Sequence, residues 1–203
     1  MLISFEGPEG CGKSTHTKLL KEYLESKGKK VVLTFEPGGT ELGQKLRKIL
    51  LHSSKELDQI AELALFAADR AEHVAKVILP ALKAGKWVIC DRYLDSTLAY
   101  QIGGRGLPED LVRYFNMISC RGVLPDITFL LDVPSAFGLK RAGKVKKADR
   151  FEKEKLSFHA RVRDKYLSIA ENEPERIKII ATSKDDIKKV QLSIQKELLE
   201  KLK

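Results

Sequence analysis

Eight residues, Gly7-Pro8-Glu9-Gly10-Cys11-Gly12-Lys13-Ser14, constrain this chain more than any other stretch. They follow a short apolar run, Leu2 to Phe5, and precede a segment of helical spacing, Ser14 to Lys27, closed by Gly28. A glycine, four residues, then Gly-Lys-Ser at a strand-to-helix turn is a loop built to hold phosphate. By average residue usage the string arises by chance in about one chain of this length in a hundred, and less often in that context. The glycines let backbone N–H groups turn toward a phosphate, and the helix N-terminus adds partial positive charge. Lys13 then reaches the β- and γ-phosphates of a nucleotide and Ser14 can hold Mg2+. A buried Lys-Ser pair has no packing role there, which argues against a ligand-free glycine turn.

The rest of the chain repeats the strand-then-helix pattern. Apolar runs with β-branched character at Leu2 to Phe5, Val31 to Phe35, Trp87 to Cys90, Ile127 to Leu131 and Ile177 to Ile180 read as five buried strands. Helical spacing covers Ser14 to Lys27, Glu41 to Leu51, Glu56 to Lys83, Glu109 to Cys120, Glu154 to Glu171 and Asp185 to Leu202. Gly28 and Gly85 stand where a helix C-terminus needs a left-handed residue. Alternation of this kind predicts an α/β fold, a parallel five-stranded sheet with helices on both faces, in one domain over 1–203. The polar, basic stretch Ala142 to Ala148 reads as an excursion from the core.

Composition narrows the class. At 203 residues and 43% hydrophobic content the chain can bury one sizeable core. No apolar run approaches the roughly 18 residues of a membrane helix, and the start has no signal-peptide pattern, so the expectation is a cytoplasmic protein with no membrane partner. Cys11, Cys90 and Cys120 are odd in number, widely spaced and without CxxC, which points to reduced thiols. None of the four histidines has metal-ligand spacing to another. The net charge of +9 suggests an anionic partner. Basic residues away from the loop lack aromatic interleaving, so no nucleic acid is expected.

A Mg2+ site beside Ser14 needs a carboxylate at the end of a neighbouring strand. Asp91 and Asp132 are the candidates. Asp132 precedes Val133-Pro134-Ser135 and suits a helix start. Asp91 is followed by Arg92, which can fork onto a phosphate, and on chemistry it is the better of the two. A guanine-reading NKxD motif is absent: Asn116 and Asn172 are followed by Met-Ile-Ser and Glu-Pro-Glu, which argues against a GTPase.

Over its whole length the sequence resembles the thymidylate kinase family, in its bacterial branch. The resemblance rests on Phe5-Glu6-Gly7 entering the loop, Glu36-Pro37-Gly38-Gly39-Thr40, Phe66-Ala67-Ala68-Asp69-Arg70, Asp91-Arg92-Tyr93 continuing through Ser96-Thr97-Leu98-Ala99-Tyr100-Gln101, and Asp149-Arg150-Phe151-Glu152. It implies a P-loop kinase that moves the γ-phosphate of ATP to dTMP with Mg2+, working as a homodimer. ATP would lie on Gly7 to Ser14, Thr15 and Arg141. By the same resemblance dTMP would lie on Glu36, Pro37, Arg47, Phe66, Arg70, Arg92, Ser96, Thr97, Tyr100 and Gln101. Phe66 would stack on thymine and Arg70 donate to its O4, while Thr97 and Gln101 read the base edge. Arg92 and Arg47 would grip the acceptor phosphate, Tyr100 crowd the 2′ position, and Glu9 approach the 3′-hydroxyl. Lys13, Arg92, Glu9, Arg141 and Arg150 are the implied catalytic residues.

A lid over about 142–150 is implied as well. Relatives carry several arginines where this chain has Gly143 to Lys147, with Lys144, Lys146 and Lys147 between Arg141 and Arg150. A lysine brings a point charge without the planar fork. Arg141 or Arg150 is therefore the expected lid cation, with Lys146 as substitute. Two rivals remain: a kinase of another monophosphate, such as dUMP or a purine nucleotide, and a regulatory module that binds ATP without turnover.

Overall fold

The computed structural model describes residues 1–53, 56–143, 149–182 and 186–202. The five apolar runs are strands β1 (Leu2–Glu6), β2 (Val31–Phe35), β3 (Trp87–Asp91), β4 (Ile127–Asp132) and β5 (Ile177–Ala181). All pair in parallel, in the order β2-β3-β1-β4-β5. The helices are α1 (Lys13–Ser26), α2 (Glu41–His52), α3 (Gln59–His73), α4 (Leu79–Lys83), α5 (Leu94–Thr97), α6 (Glu109–Cys120), α7 (Ser135–Ala142), α8 (Leu156–Asn172) and α9 (Ile187–Lys201). Two π-helical segments, Val74–Ile78 and Leu98–Gly104, join α3 to α4 and extend α5.

The pleat sorts each strand's side chains between two cores. Ile3, Phe5, Ile89, Phe129 and Leu131 pack with Leu20 and Leu24 of α1 and Val190, Ile194 and Leu198 of α9. Leu2, Val88, Cys90 and Leu130 point the other way, into a larger cluster with Leu63 of α3, Val112 of α6 and Phe158, Val162 and Tyr166 of α8. Successive residues thus face opposite layers, and β1 is buried at every position, as a sheet covered on both faces requires. The parallel α/β architecture matches the one expected.

The long helix expected over Glu56 to Lys83 differs from the sequence reading at two named residues. The helix expected from Glu56 starts at Gln59, because the Asp58 carboxylate caps the backbone N–H groups of Ile60 at 2.9 Å and Ala61 at 3.1 Å. It does not run unbroken to Lys83. Pro80 lacks an N–H and crowds the carbonyl four residues back, and the wider π turn at Val74–Ile78 precedes it. The helical stretch from Leu94 to Gly104 was not anticipated at all.

The register brings the functional strand ends to one edge. Phe5 lies beside Asp91 of β3, Glu6 beside Leu130 of β4, and Phe35 beside Asp91 from the other side. The connection leaving β1 runs to β2 on one side of the sheet and the one leaving neighbouring β4 runs to β5 on the other, so the carboxyl end of β1 is a switch point of the kind where an open α/β sheet binds ligands. Ile194 is fully buried between α9 and the sheet. Replacing Ile194 by Ala should cost about 2–5 kcal/mol of unfolding free energy by leaving a cavity. Urea denaturation should show a lower midpoint at unchanged slope.

Candidate active site

The loop after β1 folds as its glycines dictate. Gly7, Gly10 and Gly12 have φ of 136°, 67° and 96°, in the region that side-chain-bearing residues avoid. Two of these positions are also crowded. A methyl group on Gly7 would run into the Leu131 carbonyl oxygen, and one on Gly10 into that of Gly138 in α7. The loop is thereby pressed between the ends of β1 and β4 and α7. Lys13 Nζ donates to the carbonyl oxygens of Gly7 and Pro8, both at 2.9 Å, which holds the ammonium inside the loop where a phosphate chain would meet it.

Ser14 Oγ donates to Asp91 Oδ2 at 2.9 Å, which brings the two oxygen donors expected around Mg2+ together. Asp132, the other candidate, is occupied differently. Arg163 forks onto both of its oxygens at 2.7 and 2.8 Å. The set at Ser14 and Asp91 suits a hard cation that prefers oxygen ligands. A second metal-like grouping, Glu36, His73 and Cys90, lies within 4.8 Å. There His73 already spends Nδ1 on Glu36 at 2.8 Å and Nε2 on Thr34 at 2.6 Å, which makes it a brace in the wall. Cys11, Cys90 and Cys120 are all buried free thiols.

Two clefts meet at this edge. One is a groove along the loop, lined by Glu9, Gly10, Cys11, Gly12, Lys13, Ser14, Thr15, Asp91 and Arg141 among others. The second lies beside it, on the side of α3. Glu36, Pro37, Arg47, Phe66, Arg70, Arg92, Ser96, Thr97, Tyr100 and Gln101 all line it, so residues from four separate segments of sequence converge on one cleft. Glu9, Glu36, Arg47 and Arg92 line both clefts.

Arg92 is held at that junction more tightly than any surface arginine. Its φ is 69°, a left-handed conformation costing on the order of 1 kcal/mol for a non-glycine residue, so its surroundings must impose it. Nη1 donates to Gly7 O at 3.1 Å, Ser96 Oγ at 3.1 Å and Tyr166 OH at 3.0 Å. Nη2 donates to Glu9 Oε1 at 2.7 Å and Tyr100 OH at 3.1 Å, with the guanidinium 5.0 Å above the Tyr100 ring. Burial opposes its charge, but Tyr100 and Glu9 outweigh that and raise its pKa well above the ordinary value.

The second cleft ends in a rigid wall. Arg70 is 3% exposed and donates to Glu36 Oε2 at 2.9 Å, Asn116 Oδ1 at 2.7 Å and Tyr93 O at 3.0 Å. Phe66 shares its helix face, four residues earlier, with its ring 5.9 Å from that of Phe151. Arg47 donates to Pro37 O at 2.6 Å and leans over Phe35.

The lid residues divide. Arg141 lines the loop groove, with Nη1 donating to Thr182 O at 3.2 Å. Arg150 is not brought to either cleft: it pairs with buried Glu62 at 2.6 Å, donates to Leu50 O at 2.9 Å and packs over Phe151. Of the two arginines expected as lid cation, the structure therefore leaves Arg141 at the groove. The substitute, Lys146, lies with Lys144 and Lys147 outside the described residues.

A family model described as thymidylate kinase matches residues 5–194. The chain belongs to the thymidylate kinase family. A thymidylate kinase of Desulfovibrio desulfuricans is 50% identical over 191 residues, covering 90% of this chain and 88% of that protein. One from Chlamydia muridarum is 45% identical over 202 residues, covering 98% of each. The crystal structure of thymidylate kinase from Ehrlichia chaffeensis superposes with a TM-score of 0.82 at 40% identity, covering 98% of both chains.

Several residues around the site entered the sequence analysis only as members of motif strings, with no role of their own. Phe151 and Asp149 line the second cleft, and the Asp149 carboxylate caps the turn through the N–H groups of Phe151 and Glu152, both at 3.0 Å. Glu6 ends β1 fully buried, accepting from Tyr93 N at 2.8 Å and from the Ser96 hydroxyl, which in turn meets Arg92. Burial, with Asp95 nearby, pushes the Glu6 carboxyl up from its ordinary 4.5 to about 7.

A folded-state pKa above the unfolded one means the native state holds the extra proton between those values. That stabilisation is fully present below pH 4.5 and is lost as pH rises through about 7. Glu6→Gln, which cannot ionise, should therefore gain on wild type as pH rises from 5 to 8, by about 1–3 kcal/mol. Urea unfolding at a series of pH values checks this; a difference that is flat with pH would remove Glu6 as the cause.

Proposed function

We propose that this chain transfers the γ-phosphate of ATP to dTMP, giving ADP and dTDP. The observation that carries the reading is that Glu9, Glu36, Arg47 and Arg92 line both clefts, which supports a donor phosphate chain on the loop facing an acceptor phosphate in the second cleft. Relatives 50% and 45% identical to this chain are named thymidylate kinase, which supports that acceptor.

Transfer of this kind asks little covalent chemistry of the protein, because the acceptor phosphate is already an anion. Positioning and positive charge do the work. Lys13 leaves its loop carbonyls for the β- and γ-phosphates, Arg92 and Arg47 hold the acceptor phosphate in line, and Arg141 covers the groove. Glu9 both fixes Arg92 and lies where the sugar hydroxyl would come. Tyr100, packed edge-on against Phe151, Phe158 and Tyr166, cannot retreat from a 2′-hydroxyl and so favours deoxyribose. Phe66 offers a face to the base, and Arg70, Thr97 and Gln101 its polar edge. Ser14 and Asp91 would hold Mg2+, whose chemistry is to neutralise charge on the phosphates. Domain 1–203 acts as one unit in this reading.

The protein is further proposed to be cytoplasmic and homodimeric. No described helix is long and apolar enough to cross a membrane. Leu63, Val74 and Ile78 of the apolar stretch Ile60 to Leu82 are spent in the chain's own core. The face left for a second copy is on α6, where Tyr114, Met117 and Ile118 are 56%, 60% and 48% exposed.

ADP release from Mg-ATP should depend on dTMP, be weaker with the ribose form and absent with dGMP. Arg92→Lys cannot reproduce five hydrogen bonds from one planar group and should lower kcat/KM for dTMP by about 10²-fold. Release of ADP regardless of acceptor would contradict the proposal and favour an ATP-binding module.

A further inference from the structure

Glu62 lies on the acceptor-cleft side of α3, one helical turn before Phe66, and is 1% exposed. Its carboxylate forms an ion pair with Arg150, Nη2 lying 2.6 Å away, and accepts from Arg105 Nε at 3.1 Å and Nη2 at 3.2 Å and from the side-chain amide of Gln101, whose Nε2 donates at 2.8 Å. A carboxylate paired with two guanidinium groups offers acceptors only. The Gln101 amide therefore has one permitted orientation, since turning it over would set Oε1 against a carboxylate oxygen. Gln101 is fully buried and lines the second cleft together with Thr97 and Arg70. With Nε2 committed, Oε1 is its remaining polar atom, and it has no hydrogen-bond partner among the described residues. A buried acceptor left open in a ligand cleft is a costly feature unless a ligand donor completes it.

We propose that Glu62 is a positioning residue for substrate selection, turning the Gln101 amide so that its oxygen meets the base and admits only pyrimidines carrying N–H at ring position 3. Thymine and uracil present that donor between two carbonyls. Cytosine presents a ring-nitrogen lone pair there and an amino group beside it. An amide oxygen fixed in place pairs with the first and repels the second, and Arg70, which also lines the cleft, favours a carbonyl over an amino group. Sites that hydrogen-bond one substrate atom reject the analogue lacking it far more strongly than apolar pockets do. The inference rests on the dTMP kinase reading and deepens it, because the selectivity resides in a residue that need not touch substrate.

The test compares dTMP with 5-methyl-dCMP, which differ at ring positions 3 and 4 alone, using full-length wild type, Glu62→Gln, Gln101→Leu and the double variant. In Glu62→Gln the partner side chain can donate as well as accept, so the Gln101 amide is released to turn. The ratio of kcat/KM for dTMP over 5-methyl-dCMP should then fall by at least about tenfold, mostly through KM, with kcat on dTMP nearly kept. In the Gln101→Leu background, adding Glu62→Gln should leave the ratio where it was. Should Glu62→Gln not fold, Glu62→Asp carries the same comparison, since it keeps a carboxylate for Arg105 and Arg150 but withdraws it by one methylene from Gln101. Parallel loss on both substrates at an unchanged ratio, or an equal shift in the ratio without Gln101, would overturn the proposal. A wild type inactive on dTMP would instead overturn the activity on which it rests.

Discussion

The contact on which the rest of the site depends is the ion pair between Arg92 and Glu9, 2.7 Å long and inside a cage of Gly7, Ser96, Tyr100 and Tyr166. It joins three elements that are far apart in sequence: the phosphate loop after β1, the turn after β3 and the middle of α8. A guanidinium left to itself would swing in solvent and lose rotamer entropy on binding a phosphate. This one is already ordered, so the cost is met during folding. The left-handed backbone of Arg92 fits the same account, because strain of that kind persists only where neighbours over-determine it.

Around this junction the protein keeps an unusual number of charges out of water. Glu36 is shared by Arg70 and His73, Glu62 by Arg105 and Arg150, and Asp95 by both terminal nitrogens of Arg176 at 2.7 and 2.8 Å. Buried pairs contribute little net stability, since desolvation offsets most of the attraction. Their value here is geometric. Each one locks a side chain that lines or supports a cleft, and removing one partner would strand the other. Glu36 shows the consequence: the arginine expected to read the base also neutralises a buried acid, so its loss affects fold and recognition together.

The parts of this arrangement legible in the sequence were those carried by local strings or simple periodicity. Gly7 to Ser14 announced the loop, and apolar runs placed five strands within a residue at each end. The acceptor cleft was different. Phe66, Thr97 and Gln101 have no signal of their own, and only resemblance to a family brought them forward. Glu6 stood only as part of a motif string and Glu62 looks in the sequence like any other acid; that both are buried depends on which face α3 turns inward and on how β1 meets β3. Arg150 was misleading for the same reason. Its closeness to the basic stretch suggested a lid role, whereas the turn capped by Asp149 directs it toward Glu62.

The central claim is that donor and acceptor phosphates meet directly at the wall shared by the two clefts, with no protein group taking the phosphoryl in between. The most direct measurement is the stereochemical course of transfer from ATP made chiral at its γ-phosphorus with oxygen isotopes, read on the dTDP product. A single in-line displacement across the Arg92 junction predicts inversion of configuration. Retention would mean two displacements through a phosphorylated side chain, with Glu9 or Glu36 the nearest candidates, and would contradict the account.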